Sequence, residues 1–195
     1  MYTKNAAEHA ETKSVYSLER DTQKPKLTIT DAAIKWAHFT KSNKFNRSLT
    51  VVLSKKMARE LKDYGLYVKE FEDRDGDIEY HLDIAVGDSK ERYCPRIIMY
   101  SESNGKKSRT TLGFEDDYDN DIYDMAQLDR GMYERVSLAI NIIDKNEPSA
   151  QYGSKKGYLQ SLKCILIPMD DGLDSEYYDN YMNAGSEDYE PLPFA

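Results

Sequence analysis

The sequence predicts a mainly β fold, a Greek-key β-barrel with one main α-helix. Three observations lead to this prediction. Six or more short β-rich runs follow one another along the chain, separated by polar connections. Only one segment has a clear helical pattern, and the 39% of hydrophobic residues among 195 is enough for a core of barrel size. The length fits one domain with tails.

The β-rich runs are read from hydrophobic alternation and from the turn residues between them. The clearest case is the segment IEYHLDIAV, in which Tyr80, Leu82 and Ile84 alternate with His81 and Asp83, as in a half-buried strand. A hairpin turn with Asp75-Gly76 precedes it. The predicted strands cover residues 27–39, 49–53, 66–71, 78–86, 96–100, 136–144 and 157–168. Basic loops are expected at 101–113 and 145–156.

The main helix is predicted over the segment SKKMARELKDYG. Ser54 can cap its N-terminus, and Met57, Ala58 and Leu61 fall on one face. Gly65 supplies the left-handed residue that ends it. A shorter helix is expected over 121–130, stopped by a glycine.

Composition and charge divide the chain into three parts. Residues 1–26 are polar and show no hydrophobic periodicity, which predicts a flexible N-terminal arm. Residues 27–169 are expected to form the folded domain. The segment 170–195 predicts a disordered acidic tail with no basic residue. Its eight acidic residues are Asp170, Asp171, Asp174, Glu176, Asp179, Glu187, Asp188 and Glu190. Of the 35 acidic residues, the other 27 lie before the tail and are balanced by the 27 basic residues, all of which lie there too. The net charge of −8 therefore comes entirely from the tail.

The motifs of enzymes and metal sites are missing from the sequence. The segment DRDGD is similar to a calcium loop, but Gly76 stands at its fourth position instead of the sixth, and Ile84 occupies the place of the bidentate glutamate. Glu60 and Lys62 match half of a nuclease signature but lie on the predicted helix. We therefore expect no catalytic residue, no metal and no cofactor.

The two cysteines, Cys94 and Cys164, lie outside any CxxC spacing and predict reduced, buried thiols. No apolar run reaches the roughly 18–20 residues of a membrane span, and the first residues lack the hydrophobic region of a secretory signal. We expect a cytoplasmic protein, in the host cell if it is viral, with no membrane partner.

Aromatic and basic residues are interleaved in three segments, a pattern typical of single-strand binding. Such binding needs cations that follow the phosphates and exposed rings on which bases stack. The candidate DNA-binding residues of these segments are Trp36, Phe39, Lys41, Lys44, Phe45, Arg47, Tyr100, Lys106, Lys107, Arg109, Tyr152, Lys155, Lys156 and Tyr158. Since Trp36 and Phe39 point opposite ways on a strand, at least one of them is expected in the core.

The segment HFTKSNKFNRSLTVVLSKKMARELKDYGLYVKE resembles the N-terminal signature of the single-stranded DNA-binding proteins of tailed bacteriophages. The matching positions include Asn46, Val68 and Lys69. CPRIIMY resembles the Pro-(Lys/Arg)-Ile strand of that family, and GSKKGYLQSL its closing strand at Tyr158. In order, these motifs cover about residues 27–168.

The resemblance implies an OB-fold and sequence-independent binding of single-stranded DNA in replication, recombination or repair. It adds Lys69 and Arg96 to the candidate DNA-binding residues. It also implies that the acidic tail recruits replication proteins, such as a polymerase, a helicase/primase or a nuclease. The tails of the family commonly end on an aromatic residue, whereas here Phe194 precedes Ala195. The sequence leaves a homodimer open.

The tail also has a physical rationale of its own. Its tyrosines and Phe194 imitate bases and its carboxylates imitate phosphates, so it can occupy the binding groove until DNA displaces it. The competing readings are a virus-encoded DNA mimic that inhibits a host DNA-binding protein, a solubilising tail, and a nuclease or nucleotide-processing enzyme. A cationic groove with an aromatic floor would favour the single-strand binder over these alternatives.

Overall fold

The structure is a computed structural model that describes residues 6–39, 47–72, 76–87, 95–103, 106–112, 127–149 and 151–167. Ten strands and two helices are assigned within these residues. They are α1 (Ala6–Thr12), β1 (Val15–Glu19), β2 (Lys26–Thr30), β3 (Ala33–His38), β4 (Ser48–Leu53), α2 (Lys55–Asp63), β5 (Lys69–Glu72), β6 (Ile78–Ala85), β7 (Arg96–Ser103), β8 (Lys106–Leu112), β9 (Tyr133–Ser149) and β10 (Gly153–Leu166).

The strand order closes into a five-stranded barrel. The sheet runs β2-β9-β10-β6-β4-β3, with β1 outside β2. Since β2 and β3 are consecutive halves of one strand, the first and last members of this row are joined through the chain. All barrel pairings are antiparallel except that between β10 and β6. This Greek-key arrangement is the OB-type barrel, and the predicted fold class is confirmed.

A break at Asp31 lets the first strand pair with two partners. Asp31 has a φ of 52°, in the left-handed region. Before the break, β2 pairs with β9, with Leu27 opposite Ile140. After it, β3 pairs with β4, with Ile34 opposite Val51. The single strand predicted over 27–39 is therefore two strands, and the bend between them closes the barrel.

The barrel is filled by the inward-facing apolar residues of every strand. On β6, Leu82 and Ile84 are buried, and Tyr80 packs against the same core, as the alternation predicts. The predicted buried thiol is found at Cys164, where burial raises the pKa to about 12. Cys94 lies outside the described residues. In the part of the chain that the structure describes, no helix has the length and apolar character to cross a membrane.

Helix α2 forms as its sequence predicts. The Ser54 hydroxyl accepts a hydrogen bond from the backbone N–H of Met57 at 3.2 Å, which caps the first turn. Met57, Ala58 and Leu61 are buried against the barrel. The chain leaves the helix through Gly65, whose φ of 101° is readily adopted by glycine.

The prediction of a flexible arm is wrong for residues 6–26. The small side chains of Ala6 and Ala10 in α1 form a cluster with Ala33 and Val52 on the outside of the barrel. Strand β1 pairs along its whole length with β2. The sequence hides this because two alanines one helical turn apart give little hydrophobic signal, although they are small enough to let a helix lie flat on a sheet.

The two predicted basic loops are largely strands. Strand β8 pairs with β7 in a hairpin, so Lys106, Lys107 and Arg109 are strand residues. Lys155 and Lys156 likewise lie in β10, opposite β9, whose 17 residues extend to Ser149. The sequence does not reveal these strands because their residues are polar. An exposed hairpin needs no apolar face, so it lacks the hydrophobic alternation that predicts a strand. The short helix predicted over 121–130 is described only from residue 127 onward, where a helical turn precedes Gly131.

Candidate nucleic-acid interface

The outer surface of β3, β4, β5 and β6 forms one side of the barrel, and α1 covers the part of it at Ala33 and Val52. The remainder of this surface is here called the open face. Side chains alternate across these strands, so the neighbours of the core residues point to this face. On β6 the outward residues are Glu79, His81 and Asp83, and cross-strand pairing sets them beside Lys69 and Phe71 of β5. The strand-2 and strand-3 face of an OB-fold is the surface that commonly receives oligonucleotides.

Trp36 is the most exposed ring of the open face, with 55% of its surface accessible. Its φ of 47° lies in the left-handed region, and the β3–β4 register shifts between Lys35 and His38. A bulky residue rarely adopts this conformation, which costs roughly 1–2 kcal/mol. The strained bulge turns the indole ring outward, where a base can reach it.

Phe71 and His81 complete a cluster of three rings around Trp36. The Trp36 ring meets His81 edge-on, with centroids 5.2 Å apart, and lies 6.0 Å from the centroid of Phe71. Phe71 is 49% exposed and its ring centroid is 5.0 Å from that of His81, which is buried beneath the other two. The cluster presents two exposed rings on a fixed base, which is the arrangement that stacking requires.

A buried carboxylate anchors the cluster from below. Glu79 Oε2 accepts hydrogen bonds from Lys35 Nζ at 2.6 Å and from His81 Nε2 at 2.9 Å. Burial alone would raise the pKa of Glu79, but the hydrogen bonds from Lys35 and His81, together with their charges, hold it below its usual value. The ionised carboxylate thereby fixes the imidazole under the two exposed rings.

A second polar group lies further along the same face. Asp83 accepts a hydrogen bond from the Thr50 hydroxyl at 2.8 Å and forms an ion pair with Lys69. The Lys69 side chain remains 42% exposed, so its ammonium stays close to solvent. The sequence resemblance implies Lys69 as a DNA-binding residue, and the structure places it beside the ring cluster.

At the tip of the β9–β10 hairpin, Tyr152 forms a second pair of exposed rings with Tyr67, which lies between α2 and β5. Tyr152 and Tyr67 meet edge-on, with centroids 5.3 Å apart. Tyr67, Lys69 and Phe71 are alternate residues of one extended segment, and each contacts a partner on the same side. The tyrosine pair therefore extends the row of exposed rings from the open face to the hairpin.

The stem of the hairpin is fixed by helix α2. The Gly65 carbonyl accepts hydrogen bonds from the backbone N–H groups of Ser154 and Lys155, at 2.9 and 3.0 Å. Gly153 packs so closely that an added Cβ would lie 2.5 Å from the same carbonyl oxygen. The position of the Tyr152 ring therefore depends on the end of the helix.

Lys155 and Lys156 are adjacent but have different surroundings. Lys155 Nζ lies 2.6 Å from Asp144 Oδ1 and 4.9 Å from the centre of the Tyr64 ring. The hydrogen bond to Asp144 raises the pKa of Lys155. Lys156 is exposed and its Nζ lies 5.0 Å from the Tyr158 ring, on the part of β10 that borders β6. Of these two lysines, Lys156 is the one that combines an exposed side chain with an adjacent ring on this border.

Two predicted site residues lie in the interior instead. Phe39 is fully buried in the core, so the prediction that it stacks on DNA is wrong, and Trp36 is the exposed member of the pair. Arg47 is also buried, with only 7% of its surface accessible, which is inconsistent with an exposed phosphate contact. The bulge at Trp36 shifts the alternation of β3, which decides between the two aromatic residues.

The remaining predicted residues lie elsewhere or outside the described structure. Arg96, Tyr100 and Arg109 are on the β7–β8 hairpin, where Tyr100 pairs across the strands with Arg109 and is 37% exposed. Lys41, Lys44, Phe45 and all the tail residues lie outside the described residues. The acidic segment EDDYDNDIYD, residues 115–124, also lies outside the described residues. The structure thus brings together Trp36, Lys69, Tyr152, Lys156 and Tyr158 around the open face and its hairpin border.

Sequence analysis does not single out Phe71, Tyr67 and His81 as site residues. Phe71 is surrounded by glutamates in the strand KEFE, which gives little sign of a binding strand. The available signal is the alternation of Tyr67, Lys69 and Phe71. Within the described ranges, no three histidine, cysteine or acidic residues form a cluster suited to a metal ion.

Comparisons with known proteins give structural matches only. No protein-family model and no curated protein matches the chain. It is similar to the single-stranded DNA-binding protein from bacteriophage Enc34, with a TM-score of 0.40 and 11% identity, over 86% of this chain and 99% of that one. The same protein in complex with single-stranded DNA matches with a TM-score of 0.38 and 8% identity, over 81% of this chain and 98% of that one. The protein gp2.5 of bacteriophage T7 is also a single-stranded DNA-binding protein. It matches with a TM-score of 0.36 and 11% identity, over 88% of this chain and 98% of that one.

These matches are proteins of the class that the sequence motifs resemble. Their identities and TM-scores are low. The function proposed below therefore rests on the open face of this chain and on the residues that form it.

Proposed function

We propose that this chain binds single-stranded DNA without sequence preference, through the open face of its barrel. The observation that carries the proposal is the pair of exposed rings of Trp36 and Phe71, held on the buried His81 and flanked by Lys69. Exposed rings accept any base, because every base has a π-face, and nearby lysines attract the phosphates. Stacking without readout of base edges accounts for the lack of sequence preference.

The row of exposed rings suggests the path of the strand. It leads from Trp36 and Phe71 past Lys69 to the Tyr67–Tyr152 pair at the hairpin tip. Lys156 and Tyr158 border the same surface on β10. A strand following this path would meet rings and lysines in turn, which suits several successive nucleotides.

The role follows from this kind of binding. A protein that coats single strands without sequence preference serves DNA replication, recombination or repair, in the cytoplasm where such DNA is exposed. We further propose that the acidic segment from residue 170 onward recruits replication proteins and competes with DNA for the open face. Its carboxylates and aromatic residues support this, since they offer exposed rings and lysines the same chemistry as a nucleic acid.

The DNA-mimic hypothesis has less support. A mimic needs a surface dominated by carboxylates, whereas the described open face carries exposed rings and lysines. Its two carboxylates, Glu79 and Asp83, are both bound to lysines. An enzymatic role would require a cluster of catalytic groups, and the open face offers none among the residues described.

Intrinsic fluorescence gives a direct test, because Trp36 is the sole tryptophan of the chain. Titration with oligo-dT should quench its emission, and a duplex of equal length should quench it far less. The apparent affinity should fall steeply with salt. Equal quenching by duplex, or unchanged fluorescence with oligo-dT, would contradict the proposal.

A further inference from the structure

A crevice of about 290 Å³ opens beside Trp36, between β3 and the helical turn that precedes Gly131. A hydrogen bond lies at each end of the crevice. The Ala32 N–H donates to the Val136 carbonyl at one end, and the Phe39 N–H donates to the Asp129 carboxylate at the other. Between these points β3 has its described pairing only with β4, on the opposite edge. The crevice therefore lies along the edge of β3 that faces this turn.

The lining of the crevice is apolar at the bottom and charged at the mouth. Its floor includes the buried side chains of Ile34, Ala37 and Leu128. Arg130 contributes an exposed side chain to its lining, and Asp129 lies on the same turn. The volume of about 290 Å³ is just below the roughly 300–1,000 Å³ typical of small-ligand sites. It suits a single flat ring system better than a larger ligand.

Trp36 belongs both to the crevice and to the open face. Its indole ring contacts His81 and Phe71 on the outside, and its residue also lines the crevice. The left-handed backbone at this position creates that dual role, because it displaces β3 from regular pairing at the bulge. Strained backbone retained at a surface ring is a recurrent property of binding sites.

We propose that this crevice holds one unpaired nucleobase, taken out of the stacked row of a bound single strand. The inference rests on the proposed function and deepens it. The ring would lie against Trp36 over the apolar floor, while the carboxylate of Asp129 disfavours a phosphate inside. The phosphate stays at the mouth, where Arg130 is exposed. The strand therefore bends at this point, and one base per bound protein is shielded from solvent.

The test uses the full-length chain with labelled methyl groups and backbone amides, titrated with oligo-dT in NMR experiments. We expect shifts at the Ala37 and Leu128 methyl groups and the Gly131 amide, in addition to the Trp36 indole N–H. Shifts confined to the outer cluster around Phe71 and His81 would overturn the crevice inference while leaving single-strand binding intact. If no resonance shifts and the fluorescence is unchanged, the proposed function itself fails.

A variant that fills the crevice gives a second readout. Ala37→Leu should weaken oligo-dT binding roughly ten-fold, a loss within the range for one stacked base. Ile78→Ala, a substitution at an exposed residue that faces away from the open face, should leave affinity unchanged. Full affinity of a folded Ala37→Leu protein would overturn the inference. If that variant does not fold, the shifts of the unmodified protein decide the question.

Discussion

Lys155 is held by Asp144, with Nζ 2.6 Å from Oδ1, whereas the next residue along β10, Lys156, extends beside the Tyr158 ring. In the sequence the two lysines form one basic pair, but in the structure their side chains have different partners. Lys155 holds the hairpin stem against Tyr64 and helix α2. Lys156 has the exposed position suited to a phosphate.

Alanine substitution of each lysine should distinguish these tasks. Lys156→Ala is expected to lower the slope of log K against log salt by about 0.7, the value for one phosphate of a single strand. Lys155→Ala should leave the slope nearly unchanged but lower the melting temperature, because it releases the hairpin stem. Fluorescence titrations at several salt concentrations, with thermal melts by circular dichroism, measure both effects. Equal slopes for the two variants would contradict this division.

The Phe71 ring should contribute directly to affinity. Phe71→Ala is expected to weaken oligo-dT binding by about 1–3 kcal/mol, the typical value of one base–aromatic stack. The variant keeps Trp36, so the same fluorescence titration measures it. Ile78→Ala is the matched control, since Ile78 is about as exposed, at 51%, but points to the other side of the sheet. Similar losses for both variants would mean that stacking at Phe71 is not involved.

Glu79 should make stability depend on acid pH. Its pKa is lower in the folded chain than in the unfolded one, so the stability it contributes is present above about pH 4.5 and is lost as the pH falls through the lowered value. Glu79→Gln should remove that part of the pH dependence. It should also cost about 3 kcal/mol at neutral pH, because Lys35 loses its partner while largely buried. Urea unfolding between about pH 3 and 7 measures both effects, and parallel profiles for the two proteins would refute this role.

The contact between Gly153 and Gly65 should control the tyrosine pair at the hairpin tip. Gly153→Ala places a Cβ 2.5 Å from the Gly65 carbonyl oxygen and strains a φ of 70°, so the stem has to shift. We expect weaker DNA binding and a lower melting temperature. Gly76→Ala is the control, because it has a φ of 87° but no atom within 4 Å of the added Cβ. It should cost only the backbone strain and leave DNA affinity intact.

Removal of residues 170–195 tests the tail hypothesis. The truncation takes away eight carboxylates, so affinity for oligo-dT should rise several-fold at low salt, with the difference shrinking as salt screens the charges. Pull-down of replication proteins should be lost, and Phe194→Ala should reproduce that loss while keeping the charge. Unchanged low-salt affinity would leave the tail as a tether or a solubilising segment.

The sequence predicts elements well where the local signal is complete. Helix α2 carries its own cap at Ser54, its buried face and its terminal Gly65, and β6 alternates without interruption. The prediction is wrong where tertiary pairing decides, as in the long polar hairpin of β9 and β10, or where small residues such as Ala6 and Ala10 pack by shape. At the candidate site, Trp36 is exposed and Phe39 is buried, because a bulge shifts the alternation of β3 in a way that no periodic pattern contains.

The break at Asp31 also sets the order in which the chain can complete its fold. The open face is built from residues 33–85, which contact near neighbours in the sequence and can associate early. Closure requires Leu27 to reach Ile140, and β10 to join β6 from still further along the chain. Pairings between distant residues form slowly, and a chain emerging from the ribosome has to wait for them. During synthesis, the open face would therefore take shape as an unclosed sheet before any barrel exists to support it.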